Sequence, residues 1–149
     1  MPKDAGTNTD DASHSYDSFL VPYSQGLLKL PALRERIRQA AETLPFSLDE
    51  IEDISVAFIE AVSNAFRHGR PSDGEGCVSF SVFRRNGSFC ISIADCGPGF
   101  DPDSVPEPDP EDLPESGMGL FLMRRLMDDV VFRFHNGTTV ELVKHIRRA

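Results

Sequence analysis

Asp95-Cys96-Gly97-Pro98-Gly99-Phe100 and, further along, Gly117-Met118-Gly119-Leu120 are the stretches on which the reading of this chain turns. The first follows an alternating apolar run, residues 89–94, with the period of a strand. The second opens residues 120–126, whose apolar spacing is helical. Between them residues 101–116 are acidic and rich in proline. A carboxylate at a strand end, backbone freed by glycine, and a helix N-terminus beyond a flexible segment are the parts that hold a nucleotide. The carboxylate takes the base, while N–H groups and the helix dipole take the phosphates.

Outward from these stretches the pattern is that of one α+β domain. Residues 77–83 and 88–95 alternate with period two around Arg84-Arg85-Asn86-Gly87, which predicts a hairpin. Residues 130–134 and 138–144 flank Asn136-Gly137 and predict a second. Leu30, Leu33, Ile37, Ala40, Ala41 and Leu44 predict a helix over 30–44, closed by Pro45. Ser47 with Glu50 forms a capping box, and Phe46 with Ile51 a hydrophobic staple, so a longer helix is predicted over 48–67. Gly69 stops it, with Pro71 beyond. A short strand is predicted near 16–23, and the polar residues 1–15 read as a disordered lead-in. The expectation is a single domain over 16–149, with helices on one face of a mostly antiparallel sheet.

The long helix carries a polar stripe. At 100° per residue Ile51, Ile54, Phe58, Ala61, Val62 and Ala65 share one arc, the width of a core-facing face. Asp53, Ala57, Glu60, Asn64, Arg67 and His68 share another, and Glu60, Asn64 and His68 stack at intervals of four. A solvated helix face would also be polar. Yet Val56, Ile59 and Phe66 widen the apolar coverage, and a carboxylate, an amide and an imidazole in sequence are not the usual Glu/Lys mixture. An amide oxygen suits the shell of a hard cation such as Mg²⁺. A carboxylate one turn away can deprotonate an attacking hydroxyl or water, a pairing that fits phosphoryl transfer.

Composition narrows the classes. Lys+Arg 15 against Asp+Glu 24 gives a net charge of −9, which argues against a nucleic-acid surface and is compatible with a basic partner. No apolar run approaches the ~20 residues that span a bilayer, and the N-terminal residues lack the pattern of a secretory signal. Cys77, Cys90 and Cys96 match no zinc or disulfide spacing. A cytoplasmic protein with reduced thiols is expected.

Three segments together resemble the nucleotide boxes of the ATPase superfamily that includes gyrase, Hsp90, histidine kinases and MutL. They are Glu60-x-x-x-Asn64 on a helix, Asp95-x-Gly97-x-Gly99-Phe100 after a strand, and Gly117-Met118-Gly119-Leu120 opening a helix. The chain is most similar to the anti-sigma-factor serine-protein kinases of bacterial stress and sporulation switches. That likeness lies in Glu60-Ala61-Val62-Ser63-Asn64-Ala65, His68-Gly69, Leu126-Met127-Asp128-Asp129-Val130 and Gly137-Thr138-Thr139-Val140.

The resemblance implies a Bergerat-type two-layer ATP-binding fold with an ATP lid at about 101–116. It implies Glu60 as general base for a substrate serine and Asn64 as holder of Mg²⁺ on the triphosphate. Asp95 would accept the adenine amino group, with Gly97 and Gly99 letting the backbone approach. Gly117, Met118, Gly119 and Leu120 would bound the lid and offer N–H groups to the phosphates, and Thr139 would help fix the adenine. His68 matches a family position with no assigned chemistry. The partners implied are an anti-sigma-factor antagonist bearing the serine, a sigma factor, and a second copy in a homodimer. Two alternatives accompany this reading: a nucleotide-binding module that works by sequestration alone, and a detached histidine-kinase-type ATPase domain. One departure from the pattern is that the lid contains no Lys or Arg. Phosphate charge then falls to Mg²⁺, the helix N-terminus, or Arg67, Arg124 or Arg125.

Overall fold

Asn86 and Gly87 both take positive φ, 53° and 76°, so they close the first hairpin as a two-residue turn whose twist matches the flanking strands. The first strand therefore runs two residues closer to the turn than predicted, giving β2 (Cys77–Arg85) and β3 (Ser88–Ala94). The computed structural model describes residues 14–69, 71, 75–95, 115–134 and 137–147, with backbone alone for 115–117. Its remaining elements are β1 (His14–Pro22), α1 (Leu30–Glu42), α2 (Leu48–His68), α3 (Glu115–Leu126), β4 (Asp129–Phe134) and β5 (Thr138–His145). A 3-10 turn, Gly26–Lys29, leads into α1.

The five strands lie in the order β1-β2-β3-β5-β4, and every neighbouring pair is antiparallel. The chain leaves β3, passes through α3, returns as β4 on the far edge, and then inserts β5 beside β3. That insertion places the end of β3 against the start of β5, with Ala94 opposite Thr139.

Alternation sorts each strand by face. Val78, Phe80 and Val82, Phe89, Ile91 and Ile93, and Val140 and Leu142 are all buried beneath the helices. Leu33, Ile37 and Ala41 of α1 join the same core with the apolar arc of α2 and with Leu120 and Met123 of α3. On the other face Glu141 is buried under Arg85 and Arg133, the latter at 3.2 Å. The α+β two-layer expectation stands. No helix among the described residues is long and apolar enough to cross a membrane.

The helix ends follow from local chemistry. Ser47 accepts from the Glu50 N–H at 3.1 Å and Glu50 accepts from the Ser47 N–H at 3.0 Å, the predicted capping box. Phe46 packs edge-on to Phe89, which fixes the approach to α2. α1 ends at Glu42 rather than residue 44, because Thr43 N–H and its hydroxyl both turn back to the Ala40 carbonyl. At the other end of the fold, alternation brings Lys144 to the helix side. There its ammonium donates to the Leu126 carbonyl at 2.7 Å and lies 3.9 Å from Asp53 of α2. A cation on the last carbonyls of a helix is favourable, so Lys144 ties α3 and α2 to β5.

Three expectations change. His14 and Ser15 belong to β1, paired with Arg84 and Phe83, since an edge strand needs partner backbone rather than apolar side chains. Residues 1–13 lie outside the described set. Ala57, assigned to the polar arc, is fully buried, because that side of α2 is itself covered. And α3 begins at Glu115, so the Gly117-Met118-Gly119 segment is already helical.

Candidate functional site

α2 carries Glu60 and Asn64 one turn apart, half-buried, on the side where α3 crosses. The crossing is close because Gly119 has no side chain. A methyl on its Cα would sit 2.8 Å from Glu60 Oε2, 3.4 Å from Asn64 Nδ2 and 3.8 Å from Asn64 Oδ1. Such a methyl would overlap the carboxylate. Glycine here is thus a requirement of helix-to-helix approach, not of backbone conformation.

Leu120, expected to offer its N–H to the nucleotide, sends its side chain into the core. It anchors α3 while its neighbour Gly119 meets α2. Met118 is half-buried. Gly117 lies in the first turn of α3, where N–H groups have no intrahelical acceptor and an anion is favoured.

Asp95 is the first residue beyond β3 and is held by β5. Its N–H donates to the Thr138 carbonyl at 2.9 Å, and Thr138 N–H donates to Asp95 Oδ1 at 3.1 Å. Its neighbour Thr139 is the residue expected to help fix the adenine. Side chains alternate along β5, so Thr139 shares the face of Glu141, away from the helices, and Thr138 is the residue buried beside Asp95.

A second contact was missed from sequence. Gly69, the C-cap of α2, packs so tightly on Asp95 that a methyl there would overlap the carboxyl group. From sequence, Gly69 reads only as the stop of this helix. Its φ is −92°, which any residue adopts, so room for Asp95 explains the glycine better than the turn does. The pairing His68-Gly69 was the available signal, but a sequence does not say what stands opposite.

His68 and Arg67 are exposed at the end of α2, as are Arg124 and Arg125 on α3, the latter with its guanidinium 5.7 Å from the Phe121 ring centre. Gly97 and Gly99 lie outside the described residues, as does the lid up to residue 114. Among the described residues no three His, Cys, Asp or Glu side chains gather as a metal cage.

Two helices and a strand end thus converge, the strand being β3 at the centre of the antiparallel sheet. Glu60 and Asn64 lie at the α2–α3 crossing, and Asp95 at the end of α2. That plan defines the class, an α+β nucleotide-binding domain.

The chain belongs to the Histidine kinase-like ATPase domain family, whose profile matches residues 25–144, and ATP is accordingly its nucleotide. It is 33% identical over 136 residues to the serine-protein kinase RsbW of Bacillus subtilis, covering 80% of this chain and 84% of that one. It is 36% identical over 127 residues to RsbW of Bacillus licheniformis, covering 78% of each. Among solved structures, the RsbU and RsbW domains of a Mycobacterium tuberculosis protein superpose with a TM-score of 0.64 at 18% identity. That match covers 90% of this chain and 34% of the other, so this chain spans about a third of that larger protein. A chain of the SiaB-SiaC complex from Pseudomonas aeruginosa gives 0.62 at 16% identity over 92% of each chain.

Proposed function

We propose that this protein is an ATP-dependent protein-serine kinase that phosphorylates a small antagonist protein and, in the alternative state, sequesters a sigma factor. The observation that carries the reading is the approach of Gly119 to both Glu60 and Asn64. It puts a carboxylate and an amide beside the helix whose first turn offers free N–H groups. A pure binding module has no chemical need for that carboxylate. Similarity to serine-protein kinases over 80% of the chain supports the same reading.

In this reading Glu60 accepts the proton of the substrate serine hydroxyl as its oxygen attacks the terminal phosphorus and ADP leaves. Asn64 is the residue that would hold Mg²⁺, through its amide oxygen, an acceptor suited to a hard cation. Mg²⁺, when bound, neutralises charge on the phosphates. Asp95 receives the adenine amino group, Gly97 and Gly99 let the backbone approach the nucleotide, and Gly117 offers its N–H to the phosphates. Thr139 helps fix the adenine, while Thr138 holds Asp95 through its N–H. A phosphoserine adds roughly 1.5 to 2 negative charges at neutral pH. On a chain of net charge −9 that addition favours release of the modified antagonist.

The test is transfer of labelled phosphate from ATP to a candidate antagonist, comparing wild type with Glu60→Ala and Asn64→Ala. Transfer by wild type, lost in both variants, is the expected result. Wild type that binds ATP yet labels no partner leaves sequestration alone as the function.

A further inference from the structure

Tyr23 stands just beyond β1, far in sequence from every residue of the site, and is almost wholly buried. Its backbone N–H donates to the Gly76 carbonyl at 3.1 Å, and its ring packs edge-on to Phe66 with centroids 5.8 Å apart. The ring is therefore locked against the last turn of α2. From that position its hydroxyl donates to the carbonyl of Gly69 at 2.7 Å. Carbonyls at a helix C-terminus lack intrahelical partners, so this bond fixes where α2 ends.

We infer that Tyr23 is the positioning residue for base selection: through its hydrogen bond to Gly69 it sets the wall against which the Asp95 carboxylate is held. The inference rests on Asp95 being the acceptor for the adenine amino group. Asp95 is clamped from two sides. Thr138 N–H holds Oδ1 from β5, and the Cα of Gly69 presses on the carboxyl from α2. The first side is fixed by the sheet register. The second depends on the placement of Gly69, and that is the placement Tyr23 holds.

Base reading is sensitive to such placement. A carboxylate accepts from the exocyclic amino group of adenine and opposes the carbonyl oxygen that guanine presents at the same position. Displacing the acceptor by about half an ångström weakens the right pairing more than it changes the wrong one. Tyr23 thus acts on discrimination between purine nucleotides without touching the base.

Calorimetric titration with ATP and with GTP tests this on wild type, Tyr23→Phe, Gly69→Ala and Asp95→Asn, with thermal unfolding of each. Tyr23→Phe should weaken ATP binding about fivefold, the equivalent of one net hydrogen bond, and lower the ATP:GTP affinity ratio by the same factor. A merely structural tyrosine would lower the melting temperature and leave that ratio unchanged, and such a result overturns the inference. Gly69→Ala keeps an unstrained backbone, since φ of −92° suits alanine, while its methyl must displace the Asp95 carboxyl. It should lose at least about tenfold in ATP affinity. Wild-type ATP affinity in Gly69→Ala also overturns the inference. If Asp95→Asn binds ATP as wild type does, the adenine reading of Asp95 itself falls. If Asp95→Asn loses ATP while Tyr23→Phe keeps the ratio, only the role of Tyr23 falls.

Discussion

Gly119 of α3 leaves room for the Glu60 carboxylate of α2: a methyl group in place of its hydrogen would stand 2.8 Å from Glu60 Oε2. Two helices widely separated in sequence meet there because one residue contributes no side chain. The catalytic reading of Glu60 depends on that crossing, since it makes α3 the neighbour of the carboxylate.

Gly119→Ala therefore separates stability from activity. Alanine in a helix interior is favoured over glycine by roughly 1 kcal/mol, so the fold should survive. The displaced carboxylate should slow phosphate transfer by about 100-fold, the scale for a misplaced catalytic group. Urea unfolding run beside the transfer assay checks both halves. A well-folded variant with the wild-type rate would remove this contact from the mechanism.

Lys144→Met tests the tie between β5 and α3. It deletes the 2.7 Å bond to the Leu126 carbonyl and should cost about 2 kcal/mol, as for a hydrogen bond from a charged group. The Asp53 contact is longer, 3.9 Å, with Asp53 partly exposed, so Asp53→Asn should cost less than about 1 kcal/mol. Denaturant midpoints of the two variants decide which partner matters.

Ser47→Ala removes one arm of the capping box that opens α2. Loss of such a cap costs about 1 kcal/mol. Because α2 carries Glu60 and Asn64, this variant should unfold earlier yet keep its transfer rate per folded molecule. A lowered rate at full folding would mean that the cap also sets the register of the site.

Burial, with the nearby Glu141 carboxylate, raises the Cys90 thiol from 9.0 to about 11. The sign follows directly. Between these values the unfolded chain has released this proton while the folded one retains it, so unfolding is favoured as pH rises. The contribution of Cys90 is present below about pH 9 and lost toward pH 11. Stability measured from pH 8 to 11 should thus fall more steeply in wild type than in Cys90→Ala. Parallel curves would exclude the effect.

Periodicity and capping made most of the fold legible. Ser47, Glu50 and the apolar arc beginning at Ile51 announce α2, and Asn86-Gly87 announces the first hairpin, because these signals act between residues a few positions apart. Glu60 and Asn64 stood out for the same reason: residues four apart on a helix share a face. What lay beyond reach was everything set by an element inserted from elsewhere in the chain. β5 slides in beside β3, so Thr138 rather than Thr139 meets Asp95, a one-residue choice made by strand register. α3 crosses α2 at Gly119, and the end of α2 presses on Asp95 at Gly69. In each case the sequence by itself determined which groups are present. Only the packing of distant segments decided which of them touch, because short-range preference carries no information about what stands across a contact.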